Sequence, residues 1–159
     1  MSELYLRKSK SAFKHYDLSD HENRLTVLDA GSESHSSFVL GDIDYRMERE
    51  KNWGDFVLFG PEDEICRAGK PSAMFRSFEM EYAGQQWTLQ AASVIGDSFE
   101  LRTGGEVVGG IDAKGIFIRR GEAHLPDQLP MPVQCFLIWL ALLMWVRSDD
   151  VPSTYIPVG

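Results

Sequence analysis

The sequence predicts a mainly β fold, a closed antiparallel barrel of about 12 strands that encloses one hydrophobic C-terminal α-helix. Two observations predict the strands: apolar and polar residues alternate in short runs from Leu4 to about Leu125, and nearly every connection is too short for a crossover helix. A third observation, an almost wholly apolar segment at 133–146, predicts the helix. The length of 159 residues and the apolar content of 43% suit one domain with a buried core.

The strands are predicted from the two-residue period of a pleated chain. In the clearest example Ile43, Tyr45 and Met47 share one parity and charged residues lie between them. Ala83-Gly84 separates two further alternating runs, which predicts a two-residue hairpin. Short connections favour an antiparallel meander. The predicted strands are 4–7, 12–17, 24–30, 37–40, 42–50, 56–59, 64–68, 74–82, 86–91, 98–102, 106–111 and 115–120.

The helix is assigned to about 131–148, with a C-terminal tail at 149–159. Pro132 suits a first helical turn, the Leu, Ala and Met residues that follow are strong helix formers, and Pro152 predicts the stop. Apart from Gln134 the segment has no polar side, so it requires burial in protein or in lipid.

Length favours burial in protein. Fourteen residues rise about 21 Å, whereas a bilayer core is about 30 Å thick. A meander of about 12 strands can close around such a helix, and closure also removes exposed sheet edges. The alternative is a C-terminally tail-anchored membrane protein with a cytosolic β domain.

The final part of the chain resembles a known family. It reads Gly115-Ile-Phe-Ile-Arg-Arg120, then His124-Leu-Pro-Asp-Gln-Leu-Pro-Met-Pro132, then the apolar helix from Phe136 to Trp145. Together with the strand meander, this pattern resembles the tubby C-terminal-like superfamily, which includes the tubby domain, the plant LURP-one-related proteins, the phospholipid scramblases and small bacterial relatives. The resemblance covers nearly the whole chain and implies a barrel threaded by a helix, in a superfamily whose better known members meet membranes.

Charge and cysteine content restrict the partners and the compartment. The formal net charge of −8 and a pI near 4.9 exclude whole-surface attraction to nucleic acid or anionic lipid, so an anionic ligand needs a local basic patch. Two cysteines and the absence of an apolar run in residues 1–10 predict a reducing, cytoplasmic location. The resemblance to the tubby C-terminal-like superfamily implies peripheral membrane contact in addition. No cofactor and no nucleic-acid partner are expected, and the oligomeric state stays open.

Basic residues give the best candidate site, a binding site for an anionic head group. Such residues grip phosphate through charge-assisted hydrogen bonds if the fold brings them together. Because successive side chains on a strand point to opposite faces of the sheet, Arg119 and Arg120 are expected on opposite faces. The alternative is a set of solvated charges that discourage strand aggregation. The candidates are Arg7, Lys8, Lys70, Arg119 and Arg120.

Other residue groups carry weaker hypotheses. Cys66 and Cys135 are interpreted as buried structural thiols, and a pair with His124 is the alternative. The pairs Gly104-Gly105 and Gly109-Gly110 are interpreted as turns or barrel bends, because no helix follows them to form a phosphate loop. One polar loop has metal-capable donors, although such spacing is common in turns. These donors are His15, Asp17, Asp20, His21 and Glu22.

No catalytic motif emerges from these residues. Together with the resemblance to the tubby C-terminal-like superfamily, this predicts a non-catalytic binding module that contacts a lipid head group, a membrane surface or a protein partner through one loop end of the barrel.

Overall fold

The computed structural model describes residues 1–10, 14–51, 54–70, 76–92, 98–114 and 120–154, and the side chains of these residues as far as Val146. This part of the chain forms twelve strands and one helix. They are β1 (Ser2–Lys8), β2 (His15–Ser19), β3 (Arg24–Asp29), β4 (His35–Leu40), β5 (Ile43–Arg49), β6 (Phe56–Phe59), β7 (Glu64–Gly69), β8 (Ser77–Tyr82), β9 (Gln85–Ala91), β10 (Ser98–Thr103), β11 (Glu106–Lys114), β12 (Arg120–Leu125) and α1 (Met131–Thr154).

The strands form one sheet in the order β3-β2-β1-β12-β11-β10-β9-β8-β7-β6-β5-β4, and the neighbours in this order pair antiparallel. Pairing of β1 with β12 joins the two ends of the chain and curls the meander into a nearly closed barrel. The gap between the two end strands, β3 and β4, is called the seam. The predicted fold class is confirmed.

Helix α1 supplies the core of the barrel. Every side chain from Val133 to Trp145 is at most 5% exposed, and the strands bury their inward residues against them. The ring of Trp139 packs edge-on against Phe56, with centroids 5.8 Å apart, and its indole N–H donates to the Asp29 carbonyl at 2.9 Å. The segment therefore has its apolar surroundings inside the protein, as its length predicts.

A bilayer is about 30 Å thick in its apolar part. No helix in the described part of the chain combines the length and the apolar character needed to cross it.

Several predicted boundaries differ from those of the structure. The last strand continues to Leu125 instead of ending at residue 120, and the predicted part at 115–119 lies outside the described residues. Its inward residues include Gly121 and Ala123, which are too small to give a clear apolar alternation in the sequence. The second strand is His15–Ser19 and so ends two residues after the predicted end at 17, and the predicted start at residue 12 lies outside the described residues.

The end of the helix was also predicted wrongly. Helix α1 continues past Pro152 to Thr154, beyond the predicted end near residue 148. A proline in the last turn removes one backbone hydrogen bond, to the carbonyl four residues earlier, and leaves the preceding turns intact. Pro152 therefore does not stop the helix where the sequence predicts.

The predicted tight turns are confirmed by backbone angles. Ala83 and Gly84 have φ values of 51° and 75°, and Gly104 and Gly105 have 58° and 81°. Positive φ at both central residues is the geometry of the two-residue turn that matches the twist of a hairpin. The chain therefore reverses at these points with the twist that the barrel needs.

Gly109 lies within β11, where the register with β10 shifts. A Cβ atom there would overlap the His124 carbonyl oxygen, so β11 and β12 approach too closely for any side chain. We expect Gly109→Ala to lower the free energy of unfolding by about 1–3 kcal/mol, the usual range for overpacking. Urea denaturation measures this change.

Gly60→Ala is the matched control for Gly109→Ala. Its new Cβ would lie 3.3 Å from the flexible end of the Ile65 side chain and 3.7 Å from the Asp63 carbonyl oxygen, which is an ordinary van der Waals distance. A Gly109 variant as stable as the Gly60 variant would contradict the close approach of the two strands.

Candidate functional site

All six lysines of the chain lie at one end of the barrel. Because neighbouring strands are antiparallel, the carboxyl ends of the odd-numbered strands meet the amino ends of the even-numbered ones there. We call this the lysine end. Five lysines lie at or just after the carboxyl end of an odd-numbered strand, and Lys14 lies directly before the amino end of β2. The five are Lys8 and Lys10 at β1, Lys51 at β5, Lys70 at β7 and Lys114 at β11.

The opposite end of the barrel is acidic. Its connections are 20–23, 41–42, 60–63, 83–84, 104–105 and 126–130, and none of them contains a lysine or an arginine. Charge is therefore separated along the barrel axis, although the whole chain is acidic. These connections contain Asp20, Glu22, Asp42, Glu62, Asp63 and Asp127.

Three cations lie side by side on the outer wall near the lysine end. Arg7 on β1 lies opposite Arg120 on β12, and Arg120 lies opposite Lys114 on β11. We call this set the basic row. All three side chains are exposed, and none has an ion-pair partner among the residues that the structure describes. Like charges directly opposite each other on a sheet destabilise it.

Two shallow depressions adjoin the basic row. One, of about 460 Å³, is lined by Arg7, Arg120 and the segment Lys8–Lys10. The other, of about 630 Å³, lies between Tyr5 and Lys114. Arg7 and Arg120 line both, so their guanidinium groups can reach an anion in either depression.

Carboxylates border the basic row without neutralising it. Asp17 on β2 lies opposite Arg7, on the side of β1 that faces away from β12. It forms an ion pair with Arg24, whose guanidinium nitrogen lies 3.0 Å from the Asp17 Oδ1 atom. Glu122 follows Arg120 on the same face of β12 and lies 3.9 Å from His124. The positive surface is therefore confined to the part of the wall nearest the lysine end.

The structure brings together some of the five predicted ligands. Arg7 and Arg120 are direct neighbours, and Lys8 lines a depression beside them. Lys70 follows β7, which lies five strands from β12 in the sheet, so it shares the end of the barrel but not this wall. Arg119 lies outside the described residues.

Sequence reasoning missed Lys114 as a member of the site. Its position opposite Arg120 depends on β11 extending to residue 114, whereas the predicted strand ends at 111. Lysine at that position was visible in the sequence, but only the register of β11 against β12 makes it a neighbour of Arg120.

The metal-capable loop residues are separated in the fold. His15 and His21 lie at opposite ends of β2, where His15 pairs with Asp29 at 3.3 Å and His21 with Glu3 at 2.8 Å. The hydrogen bond from His21 holds the pKa of the Glu3 carboxyl below its ordinary value. Within the described residues no group of three His, Cys, Asp or Glu side chains is arranged to hold a metal ion.

Both cysteines are buried. Burial raises the pKa of Cys66 to about 12, and burial raises that of Cys135 to about 12 as well. His124 is 41% exposed on the outer wall, whereas Cys135 is 0% exposed within the helix. These thiols are protonated at neutral pH and lack the activation that a nucleophilic cysteine needs.

Comparison of the chain with protein-family models, with curated proteins and with solved structures gave no match in any of the three. The resemblance to the tubby C-terminal-like superfamily therefore stays a prediction.

Proposed function

We propose that the protein is a non-catalytic binding module that holds phosphate-bearing lipid head groups at the lysine end of its barrel. The observation that carries the proposal is the basic row, three exposed cations placed side by side in an acidic chain. A bound phosphate would relieve the repulsion among them and accept their charge-assisted hydrogen bonds.

The separation of charge supports a membrane as the source of the phosphate. With lysines at one end and acidic connections at the other, an anionic surface attracts the lysine end and repels the opposite one. Each cation near an anionic membrane contributes about 1 kcal/mol. The field therefore orients the barrel end-on, which brings the basic row to the surface.

Liposome co-sedimentation tests the proposal on the full chain. We expect binding to vesicles that contain phosphatidylserine or a phosphoinositide, little binding to pure phosphatidylcholine vesicles, and loss of binding at high salt. The double variant Arg7→Gln/Arg120→Gln should weaken binding roughly thirtyfold, which corresponds to about 2 kcal/mol.

The matched control is Arg46→Gln/Arg102→Gln, which removes two outer-wall arginines away from the basic row. These form exposed ion pairs with Glu48 at 3.3 Å and Glu100 at 3.0 Å. Both double variants change the formal net charge from −8 to −10. A difference in vesicle binding between them therefore reflects where the substituted arginines lie and not the net charge. Equal loss in the two variants, or no binding to either anionic vesicle at low salt, would overturn the proposal.

The alternative function, a tail-anchored membrane protein, would require helix α1 to leave the barrel. The thirteen residues from Val133 to Trp145 would then give up burial against the strands. Truncation at residue 132 separates the two proposals. An anchor predicts a folded β domain released from the membrane, whereas the barrel loses its core and unfolds.

A further inference from the structure

Ser9 is the one uncharged residue among the described residues that line a depression beside the basic row. It follows the carboxyl end of β1 at the lysine end of the barrel and is partly exposed. The depression has a volume of about 460 Å³, and its other described lining residues are Arg7, Lys8, Lys10 and Arg120. A hydroxyl group among four basic side chains is well placed to carry an anionic group.

The register places the Ser9 side chain on the outer wall next to the basic row. Its backbone N–H donates to the His15 carbonyl at 2.8 Å, which extends the antiparallel pairing of β1 with β2. Because side chains two residues apart on a strand share a face, Ser9 points to the same side of the sheet as Arg7. Arg120 lies opposite Arg7 and is therefore a diagonal neighbour of Ser9, at a separation of about 7–8 Å that a long side chain can span.

A phosphoryl group on Ser9 would meet cations within this depression. Phosphoserine carries a charge of about −1.5 to −2 at pH 7 and has three strong acceptor oxygens. Guanidinium groups bind such oxygens through paired hydrogen bonds, and ammonium groups bind them as point charges. Arg7 and Arg120 are exposed and lie opposite each other, so an anion between them would relieve their mutual repulsion.

Carboxylates do not already fill this position. Among the residues that the structure describes, no Asp or Glu lines the depression. The carboxylates of the adjoining strands have other partners: Asp17 on β2 pairs with Arg24 at 3.0 Å, and Asp29 on β3 pairs with His15 at 3.3 Å. An anion on Ser9 would therefore bring the first negative charge into the depression.

We propose that Ser9 is a phosphorylation site, and that its phosphoryl group binds to the basic row in the place of a lipid head group. The second part rests on the lipid binding proposed above. Phosphorylation then releases the protein from an anionic membrane, because the added negative charge offsets the cations that attract the barrel to the surface.

The modification is a phosphoryl transfer from ATP, catalysed by a serine kinase. The Ser9 Oγ atom attacks the γ-phosphorus, the bond between that phosphorus and the bridging oxygen of ADP breaks, and the hydroxyl proton passes to a base of the kinase. No group is oxidised or reduced. Arg7 and Lys8 precede the acceptor and Lys10 follows it, so the segment suits a kinase whose substrate groove carries carboxylates.

Phosphorylation in vitro tests the acceptor. The full chain is incubated with ATP and a serine kinase that selects arginine and lysine around its acceptor. We expect a phosphoryl group at Ser9, located by tandem mass spectrometry, and loss of this incorporation in Ser9→Ala. The control Ser37→Ala removes an exposed serine of β4 and should be phosphorylated as well as the parent. No incorporation in the parent, or equal incorporation in Ser9→Ala, would overturn the proposal.

Phosphorus-31 NMR tests whether the basic row holds the phosphoryl group. Because nearby cations favour the more charged form of phosphoserine, its titration midpoint in the folded chain should lie about 0.5 pH units below that in the urea-unfolded chain. We expect this difference to disappear in Arg7→Gln/Arg120→Gln and to persist in Arg46→Gln/Arg102→Gln. A midpoint that is the same in both double variants would place the phosphoryl group elsewhere and contradict the proposal.

Liposome co-sedimentation tests the effect on lipid binding, with vesicles that contain phosphatidylserine. We expect the chain phosphorylated at Ser9 to bind roughly thirtyfold more weakly, since the phosphoryl group offsets about two cations. The matched control carries the phosphoryl group on Ser37 instead, which lies on β4 opposite Arg46. Its binding should stay within about threefold of the unmodified chain, because salt screens charges that are distant from the basic row.

The outcomes distinguish a failure of this proposal from a failure of the lipid-binding function. If the unmodified chain does not bind anionic vesicles, the lipid-binding function and the displacement of lipid fail together, and the NMR titration alone decides whether the basic row holds the phosphoryl group. If the unmodified chain binds, and phosphorylation at Ser9 weakens binding no more than phosphorylation at Ser37, the lipid-binding function stands and control by Ser9 is refuted.

Discussion

Leu140→Arg is expected to prevent folding of the whole chain. Leu140 is fully buried at the centre of helix α1, where a guanidinium group would have neither water nor a carboxylate partner. An uncompensated buried charge costs several kcal/mol, which is comparable to the total stability of most domains. We expect loss of cooperative thermal unfolding and of the dispersed amide signals of the β strands.

Two comparisons make the Leu140 result specific. Leu140→Met keeps the volume and should cost less than about 1.5 kcal/mol. Val107→Arg places the same charge on the outer wall, where Val107 is 52% exposed, and should leave the unfolding transition nearly unchanged. A folded β domain in Leu140→Arg, released from a membrane fraction, would show that the helix is an anchor and not a core.

Trp139→Ala is expected to lower the free energy of unfolding by about 3–5 kcal/mol. The ring is fully buried, lies 5.8 Å from Phe56 and 6.3 Å from Phe136 between centroids, and donates its N–H to the Asp29 carbonyl. Its loss removes apolar contacts and leaves a cavity inside the barrel. Urea denaturation measures this change. A lower midpoint with an unchanged m-value would show that the substitution alters stability alone.

Trp139→Phe separates the hydrogen bond from the packing. The matched comparison is Trp87→Phe, because Trp87 is 2% exposed but its indole N–H has no hydrogen-bond partner in the described structure. We expect the Trp139 variant to lose about 1 kcal/mol more than the Trp87 variant, the worth of one hydrogen bond. Equal losses would contradict a stabilising bond between helix α1 and Asp29.

The Trp139 bond also bears on the seam. It meets the same carbonyl that accepts the Ser36 hydroxyl, so helix α1 fixes the closed part of the seam from within.

Local patterns in the sequence were sufficient for much of the fold. Alternation at Phe78, Met80, Trp87 and Leu89 placed the buried face of a hairpin correctly, because the period of two is a property of each strand alone. The helix was evident for a similar reason, since an apolar run without a polar side requires complete burial. The length of the apolar segment, which is short for a bilayer, predicted that the helix is buried inside the barrel.

Such local patterns do not predict contacts between segments that are distant in the sequence. The neighbours Arg7, Arg120 and Lys114 come from three strands, and only the register of β1, β12 and β11 aligns them. Register depends on which pairing buries the inward face best, which is a property of the assembled sheet. For the same reason Lys70, a predicted ligand-binding residue, lies on a part of the barrel wall that is separate from the basic row.

The composition and order of the residues were enough to dictate a β meander with a buried helix, because strand period and helix burial are local consequences of side-chain polarity. Closure of the sheet into a barrel determined the remaining features. It gathered the lysines at one end, set the basic row in register and left β3 and β4 unpaired, since these features depend on how twelve strands share one circumference around a helix of fixed width.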